Sequence, residues 1–389
     1  MKLSFQLWAG VVSLLVLTGC ATSLSESANL SGDSKKSAKE IRAAQRDKVL
    51  WDYRNGLTAL RHGEFDEAKR LLDEAILSIG GIIANDKDAK KARGYFSGES
   101  RKTFIGEPYE RAMAYYYRGI LYWMDGEPDN ARACYRSAQL MDSDTENKEY
   151  SSDYVLLDYL DGLASAKLAG DGSDAFNRAQ AISKTPLPTY DLKSNVLFFL
   201  DFGPGPRKYA EGEYGEKLQF RIDTSPARSA TIKVANKIVS VSPNDDLYFQ
   251  ATTRGGRVMD HVLANKAVFK SGTDTFGDAA IISGAVLGSQ QGRRSNVDEI
   301  GLGLLAAGVF SKIISGATTP AADTRTWDNL PQFLSFASLE LPPGQHVAKV
   351  EFNDAQGRAI PNLTKTVTIN IPVGARDSVI YVSDKSTTS

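Results

Sequence analysis

Histidine is scarce in this chain of 389 residues: His62, His261 and His346 are the only three, and each falls in a separate segment. That scarcity excludes a His-built metal centre, and it leaves no His-Glu-x-x-His helix to hold zinc. Cysteine is scarcer still, with Cys20 and Cys134 alone, so no Cys-x-x-Cys redox or zinc pair exists. No Gly-x-Ser-x-Gly elbow and no phosphate loop ending in Gly-Lys-Ser/Thr occurs, and no cofactor is called for. Charge of either sign is not in excess: 46 Lys and Arg face 47 Asp and Glu, for a formal net charge of −1. Nothing in that balance asks for nucleic acid or an anionic surface. A hydrophobic share of 42% and a charged share of 24% are those of an ordinary globular chain. After the first 20 residues, no stretch is long and apolar enough to span a bilayer.

What the chain does have begins at its start. MKLSFQLWAGVVSLLVLTGC sets Lys2 before an apolar run that ends in small residues. Leu7 to Leu17 is shorter than the roughly 20 residues of a span, and the arrangement reads as a secretory signal over 1–19. Leu17-Thr18-Gly19-Cys20 resembles the bacterial lipoprotein cleavage box. In that family the cysteine is acylated after cleavage, so the resemblance implies lipidation at Cys20. Several acyl chains, at ~0.8 kcal/mol per buried CH2, hold a protein on a membrane where one does not. Ala21 is not the aspartate of an inner-membrane retention signal, which points to the outer membrane. Residues 20–42, rich in Ser, Asn, Lys and Gly, read as a flexible tether.

A repeated pattern follows. WDYRNGLTALRHGEFDEAKRLLDEAI places Gly56, Ala59, Gly63, Ala68, Leu72 and Ala75 at the offsets of Gly119, Tyr122, Gly126, Ala131, Tyr135 and Ala138. A weaker third copy carries Gly162, with its turn one residue longer and Ala175 as the small residue beyond it. Small residues let two helices approach, and Gly63 and Gly126 sit where the chain must turn. These offsets resemble the tetratricopeptide repeat, a helix pair of about 34 residues. Cys134, inside a copy, reads as a buried thiol. The insertion between the first two copies, with Lys87, Lys90, Lys91 and Arg93, reads as a solvated loop.

In the repeat family the first helix of each pair lines a groove for peptides or partner helices. Carried onto this chain, the groove bears tyrosine at one recurring position: Tyr53, Tyr116 and Tyr159. With Trp123 these are the expected partner contacts, since aromatics with a polar tip suit a half-wet surface. The same rings are equally compatible with a groove filled by the insertions or by the second domain.

Beyond Thr185 the helical period stops. VLFFLDF (196–202) reads as a buried strand, and alternation in KLQFRI and at Ile232/Val234, Ala348/Val350/Phe352 and Val367/Ile369/Ile371 predicts further strands. LPPGQH (341–346) and NDAQGR (353–358) supply turns. The expected architecture is α+β and multidomain: TPR-like helical repeats over 43–190, then a β-sandwich-like domain over 191–389. A Gly-rich helical hairpin, inserted at about 275–325, reads as packing on the sandwich, with membrane contact or oligomerisation as alternatives.

FIGEPYER (104–111), GPGPRKY (203–209), ADTRTWDNLP (322–331) and LPPGQH (341–346) resemble recurring blocks of a family of Gram-negative tetratricopeptide lipoproteins with no assigned function. The resemblance implies the layout and an outer-membrane, lipid-anchored protein facing the periplasm; it brings no catalytic residue. The expected role is a non-enzymatic scaffold that captures an envelope protein. The alternatives are a regulator of a cell-wall synthase or hydrolase, and an oligomerising or membrane-active component.

Overall fold

The computed structural model describes residues 32–93, 103–144, 150–253, 322–374 and 377–387. The signal segment 1–19, Cys20, the start of the tether and the Gly-rich hairpin (276–317) lie outside the described residues. The chain divides into two units, Met1–Gln45 and Arg46–Ser389. Of the first, the described part is the beginning of a helix. The second is a mixed α+β unit that holds the remaining elements of the described residues.

Three consecutive helix pairs come first. They are α1 (Gly32–Arg61) and α2 (Phe65–Arg93), α3 (Pro108–Met124) and α4 (Pro128–Asp142), and α5 (Val155–Lys167) and α6 (Ser173–Ile182). Gly63 and Gly126 turn the first two pairs with φ of 77° and 82°, a left-handed geometry that glycine adopts without steric cost. Gly119 shows why the helices of a pair can touch. A Cβ there would lie 2.6 Å from Tyr135 Cε1, so the absence of a side chain admits the ring.

Two segments differ from the expectation. Residues 32–42 of the expected tether are helical, because Ala-, Lys- and Glu-rich turns extend a helix already nucleated by burial of Val49, Leu50 and Tyr53. The loop expected around Lys87 to Arg93 instead continues α2, since its Ala-Lys run contains no Gly or Pro to stop it.

The strands follow: β1 (Val196–Phe202), β2 (Arg207–Glu211), β3 (Lys217–Arg221), β4 (Ser229–Val234), β5 (Lys237–Val241) and the two-residue β6 (Asp245–Asp246). After the short helix α7 (Leu247–Thr252) come β7 (Phe333–Leu339), β8 (Gly344–Asn353), β9 (Lys365–Ile371) and β10 (Ser378–Ser383). One sheet has the order β10-β1-β7-β6 and a second β5-β4-β8-β9, while β2 and β3 form a separate hairpin. Among the described residues pairing between strands is antiparallel except for β1 with β10, which runs parallel from Val196↔Ser378 to Asp201↔Ser383.

β1 explains the layering. Every residue from Val196 to Phe202 is buried. Leu197 and Phe199 join the core beneath the helices, and Val196, Phe198, Leu200 and Phe202 join the core shared with β4, β8 and β9. β7 divides likewise, Leu334 and Phe336 to one side and Phe333, Ala337 and Leu339 to the other. A strand covered on both faces has no polar side to show, which is why VLFFLDF is a continuous apolar run. Helices and sheets, expected to part near residue 190, therefore share a core.

Candidate functional site

The face expected to receive a partner is occupied by the chain itself. Tyr53 is fully buried and stacks on Trp327, centroids 4.2 Å apart and planes at 14°. Tyr116 lies against Phe199 of β1 at 6.4 Å. Trp123 Nε1 donates to Asp377 Oδ2 at 2.9 Å, and its ring also meets Phe199. Tyr159 donates to the Pro188 carbonyl at 3.1 Å and packs on Tyr190 and Phe336. Its phenol is pushed up to about 12 by burial. These four rings are therefore corrected from partner contacts to core. The physical reason is β1: its apolar upper face, with those of β7 and β10, must be covered, and the aromatic helix faces cover it.

The seam between helices and sheet also collects buried charge. Glu110, on the first turn of α3, is wholly buried. It accepts from Lys208 Nζ, from the Trp327 backbone N–H at 2.8 Å and from the Glu107 N–H at 2.7 Å. Lys208 also donates to the Arg325 carbonyl at 2.9 Å. Arg325 in turn grips Asp323 and reaches Asp47 at 2.6 Å. Three of the four blocks singled out in the sequence, around Glu110, Lys208 and Trp327, thus meet at one buried ion pair. The fourth, LPPGQH, lies in the turn between β7 and β8, where His346 Nε2 is 2.8 Å from the Pro342 carbonyl. Nearby, Asp201 on β1 accepts from Tyr117 at 2.9 Å and Tyr381 at 2.6 Å, with Arg61 at 3.6 Å. These groups are engaged with one another and fasten the two layers.

Among the described residues an open polar cleft lies on α4, α5 and α6. It measures about 510 Å3 and is lined by Tyr135, Arg136 and Gln139 from α4 and Asp158, Asp161 and Ser165 from α5. Asp174 and Arg178 line it from α6, and Asp171 from the turn before. Arg178 contacts Asp158 at 3.2 Å and Asp161 at 3.5 Å, and pairs with Asp174 one helical turn away. Arg136 holds Asp161 at 2.9 Å. Burial pushes the Asp158 carboxyl above the usual range, against the opposing pull of Arg178 and Gln139. Two polar atoms in the lining have no hydrogen-bond partner, Tyr135 Oη and Gln139 Oε1. Tyr135 is fully buried and Gln139 is 8% exposed. A second hollow of about 450 Å3 by Met124, Ile371 and Val379 offers less, because its Asp377 is taken by Trp123 and Lys167.

No family model, curated protein or solved structure matches this chain. What the site can do rests on its own groups. Among the described residues no cluster of His, Cys, Asp or Glu has the arrangement of a metal site, and no helix is long and apolar enough to cross a membrane. Cys134 is buried and its thiol is pushed up to about 12, mainly by burial, so it stays protonated near neutrality. The cleft presents fixed charges and hydrogen-bonding groups, the equipment of recognition.

Sequence reasoning passed over this cleft. The available signal was in YVLLDYLDGLA, where Asp158 and Asp161 interrupt the most apolar helix three residues apart and so share a face. Carboxylates placed in such a run need partners, and Arg178 lay at i+4 from Asp174 on the next helix.

Proposed function

We propose that this chain is an envelope lipoprotein that acts by binding a protein segment rather than by chemistry. The cleft on α4–α6 is its docking site, in place of the filled aromatic groove. The observation that carries this reading is the cleft itself: it is open to solvent and lined by charged side chains from three helices. A concave surface of about 510 Å3 with fixed charges and hydrogen-bonding groups suits a bound segment.

The finer architecture belongs to the same reading. Three helix pairs with glycine at matching offsets support tetratricopeptide-like repeats, and two sheets sharing one core support a β-sandwich. Leu17-Thr18-Gly19-Cys20 supports a lipid anchor at the outer membrane, with the folded part facing the periplasm. The partner is an envelope protein.

The test is in-cell crosslinking and affinity recovery, with the natural chain set beside Asp158→Asn/Arg178→Gln and Cys20→Ala. A partner recovered with the natural chain and lost with the cleft variant is expected. Cys20→Ala should release the protein from the membrane fraction. Identical recovery from the natural chain and the cleft variant refutes docking at this cleft.

A further inference from the structure

Among the described residues the two main sheets end in four edge strands, β10, β6, β5 and β9. Three are short or guarded. β9 and β10 lie side by side, where Ser378 Oγ donates to the Asn370 carbonyl at 3.3 Å and Lys365 Nζ to the Ser386 carbonyl at 2.6 Å. β6 is two residues long, and its carboxylates hold helix N-termini: Asp245 accepts from the Val155 and Leu156 N–H groups, and Asp246 from that of Tyr248. β5 is the fourth edge. Edges are ordinarily blunted by proline, a bulge or an inward charge. β5 has none of these, since its register with β4 is unbroken and its one charge, Lys237, is turned onto the Glu340 carbonyl.

Register fixes which way the β5 backbone points. Val234 pairs with Lys237 across the two-residue turn Ala235-Asn236, and such a closing pair exchanges both its hydrogen bonds. Lys237, Val239 and Val241 therefore turn their N–H and C=O groups to β4, and Ile238 and Ser240 turn theirs away from the sheet. The side chains of Ile238 and Ser240 are exposed too, that of Ile238 at 71%.

An outward row of backbone donors and acceptors is satisfied by another extended strand, and β5 is complementary to itself. With two copies antiparallel about a two-fold axis at Val239, Ile238 of each lies opposite Ser240 of the other, and every outward group pairs. Val239, half-buried against the core, meets its own counterpart. The two Ile238 side chains lie diagonally within reach of each other. No charge sits at the axis, and Lys237 falls opposite Val241 of the second copy, so like charges do not oppose.

We propose that β5 is a self-association edge, at which two copies of this chain join their β5-β4-β8-β9 sheets into one continuous antiparallel sheet. A five-residue ladder is small against the roughly 800 Å2 per partner of a standard interface. The dimer is therefore weak in solution and is favoured where copies are concentrated, as on a shared surface. This pairing does not depend on the α4–α6 cleft or on what docks there.

The experiment is sedimentation equilibrium of the chain from Ala21 onward, from micromolar to millimolar concentration. A dimer that grows with concentration is expected. Ser240→Pro removes an outward N–H from each copy while sparing the ladder to β4, and should weaken the dimer about tenfold. Ile238→Lys sets two cations beside the axis and should also weaken it. Circular dichroism checks the fold of both, and either variant that folds carries the test. In Val239→Cys the two Cα atoms would lie about 4.5 Å apart, within disulfide reach, so mild oxidation should link the copies. Lys349→Cys, on the exposed face of the same sheet, should not link them. A monomer at millimolar concentration overturns the proposal, as does a dimer indifferent to a folded Ser240→Pro or Ile238→Lys chain. Failure of Val239→Cys to link, or equal linking through Lys349→Cys, overturns it as well.

Discussion

Replacing Lys208 with methionine isolates the ion pair that fastens the helices to the sheet. Lys208 Nζ and the Glu110 carboxylate are both essentially out of water, at 1% and 0% side-chain exposure. In Lys208→Met, Glu110 keeps the Trp327 and Glu107 backbone N–H donors but loses its counter-charge. A buried charge stripped of its partner costs about 3–5 kcal/mol. The contact of Lys208 with the Phe104 ring, 5.3 Å from its centroid, is lost as well, at about 0.5–2 kcal/mol. Glu110→Gln/Lys208→Met removes both charges of the pair while nearly keeping volume and should recover part of that loss. The amide can satisfy only one of the two backbone N–H donors, and Glu107, 4.0 Å from Lys208 Nζ in the natural chain, keeps its charge. Urea denaturation followed by far-UV circular dichroism and by tryptophan fluorescence measures the cycle. The first reports the helices, and the second is sensitive to Trp327 at the seam. Because both layers share a core, the two probes should give coincident transitions in the natural chain. A single-variant cost below about 1 kcal/mol, as for an exposed pair, would refute the argument. So would a double variant no more stable than Lys208→Met.

Three further outcomes follow from the surroundings of single residues. Gly162→Ala places a Cβ 1.9 Å from Tyr190 Oη and 2.7 Å from the Gly172 carbonyl, and should cost about 1–3 kcal/mol in thermal or urea unfolding. Gly80→Ala, with nothing within 4 Å, should instead stabilise by about 0.5–1 kcal/mol in the same assay. Burial raises the Asp323 carboxyl, but the hydrogen bonds and charge of Arg325, with Lys208 behind, outweigh it and hold the group below its ordinary value of 3.8. A depressed carboxylate stabilises the fold above its unfolded pKa, and the contribution disappears as pH falls through the folded one. Asp323→Asn should therefore cost about 1–3 kcal/mol at pH 7. The difference from the natural chain should shrink below about pH 4 in urea titrations across pH.

Local pattern carried much of the secondary structure. Glycine and alanine offsets located the three helix pairs, and the positive φ at Gly63 and Gly126 lies where the turns were expected. Burial on both faces was readable in VLFFLDF, and alternation was readable at Ala348, Val350 and Phe352, all fully buried on β8. KLQFRI was less faithful. Phe220 is only half-buried because β3 belongs to a two-stranded hairpin outside the main sheets. The parallel pairing of β10 with β1 had no local sign, since register between distant strands depends on side chains that neither segment contains.

The sequence by itself determined where the three helix pairs and the strands β1, β4, β8 and β9 form, since period, small-residue spacing and turn chemistry act over a few neighbours. It also determined that α1, α3 and α5 carry an aromatic face needing cover. Only the tertiary structure decided what covers that face. Tyr53 meets Trp327 and Trp123 meets Asp377 across more than half the chain, and an aromatic stripe is the same whether it meets a partner or its own sheet. The cleft was decided at the same level. Arg136, Asp161 and Arg178 are charges on three separate helices until packing brings both arginines within about 3.5 Å of Asp161. Charge–charge recognition depends on distance in space, which sequence spacing does not set beyond a single helix.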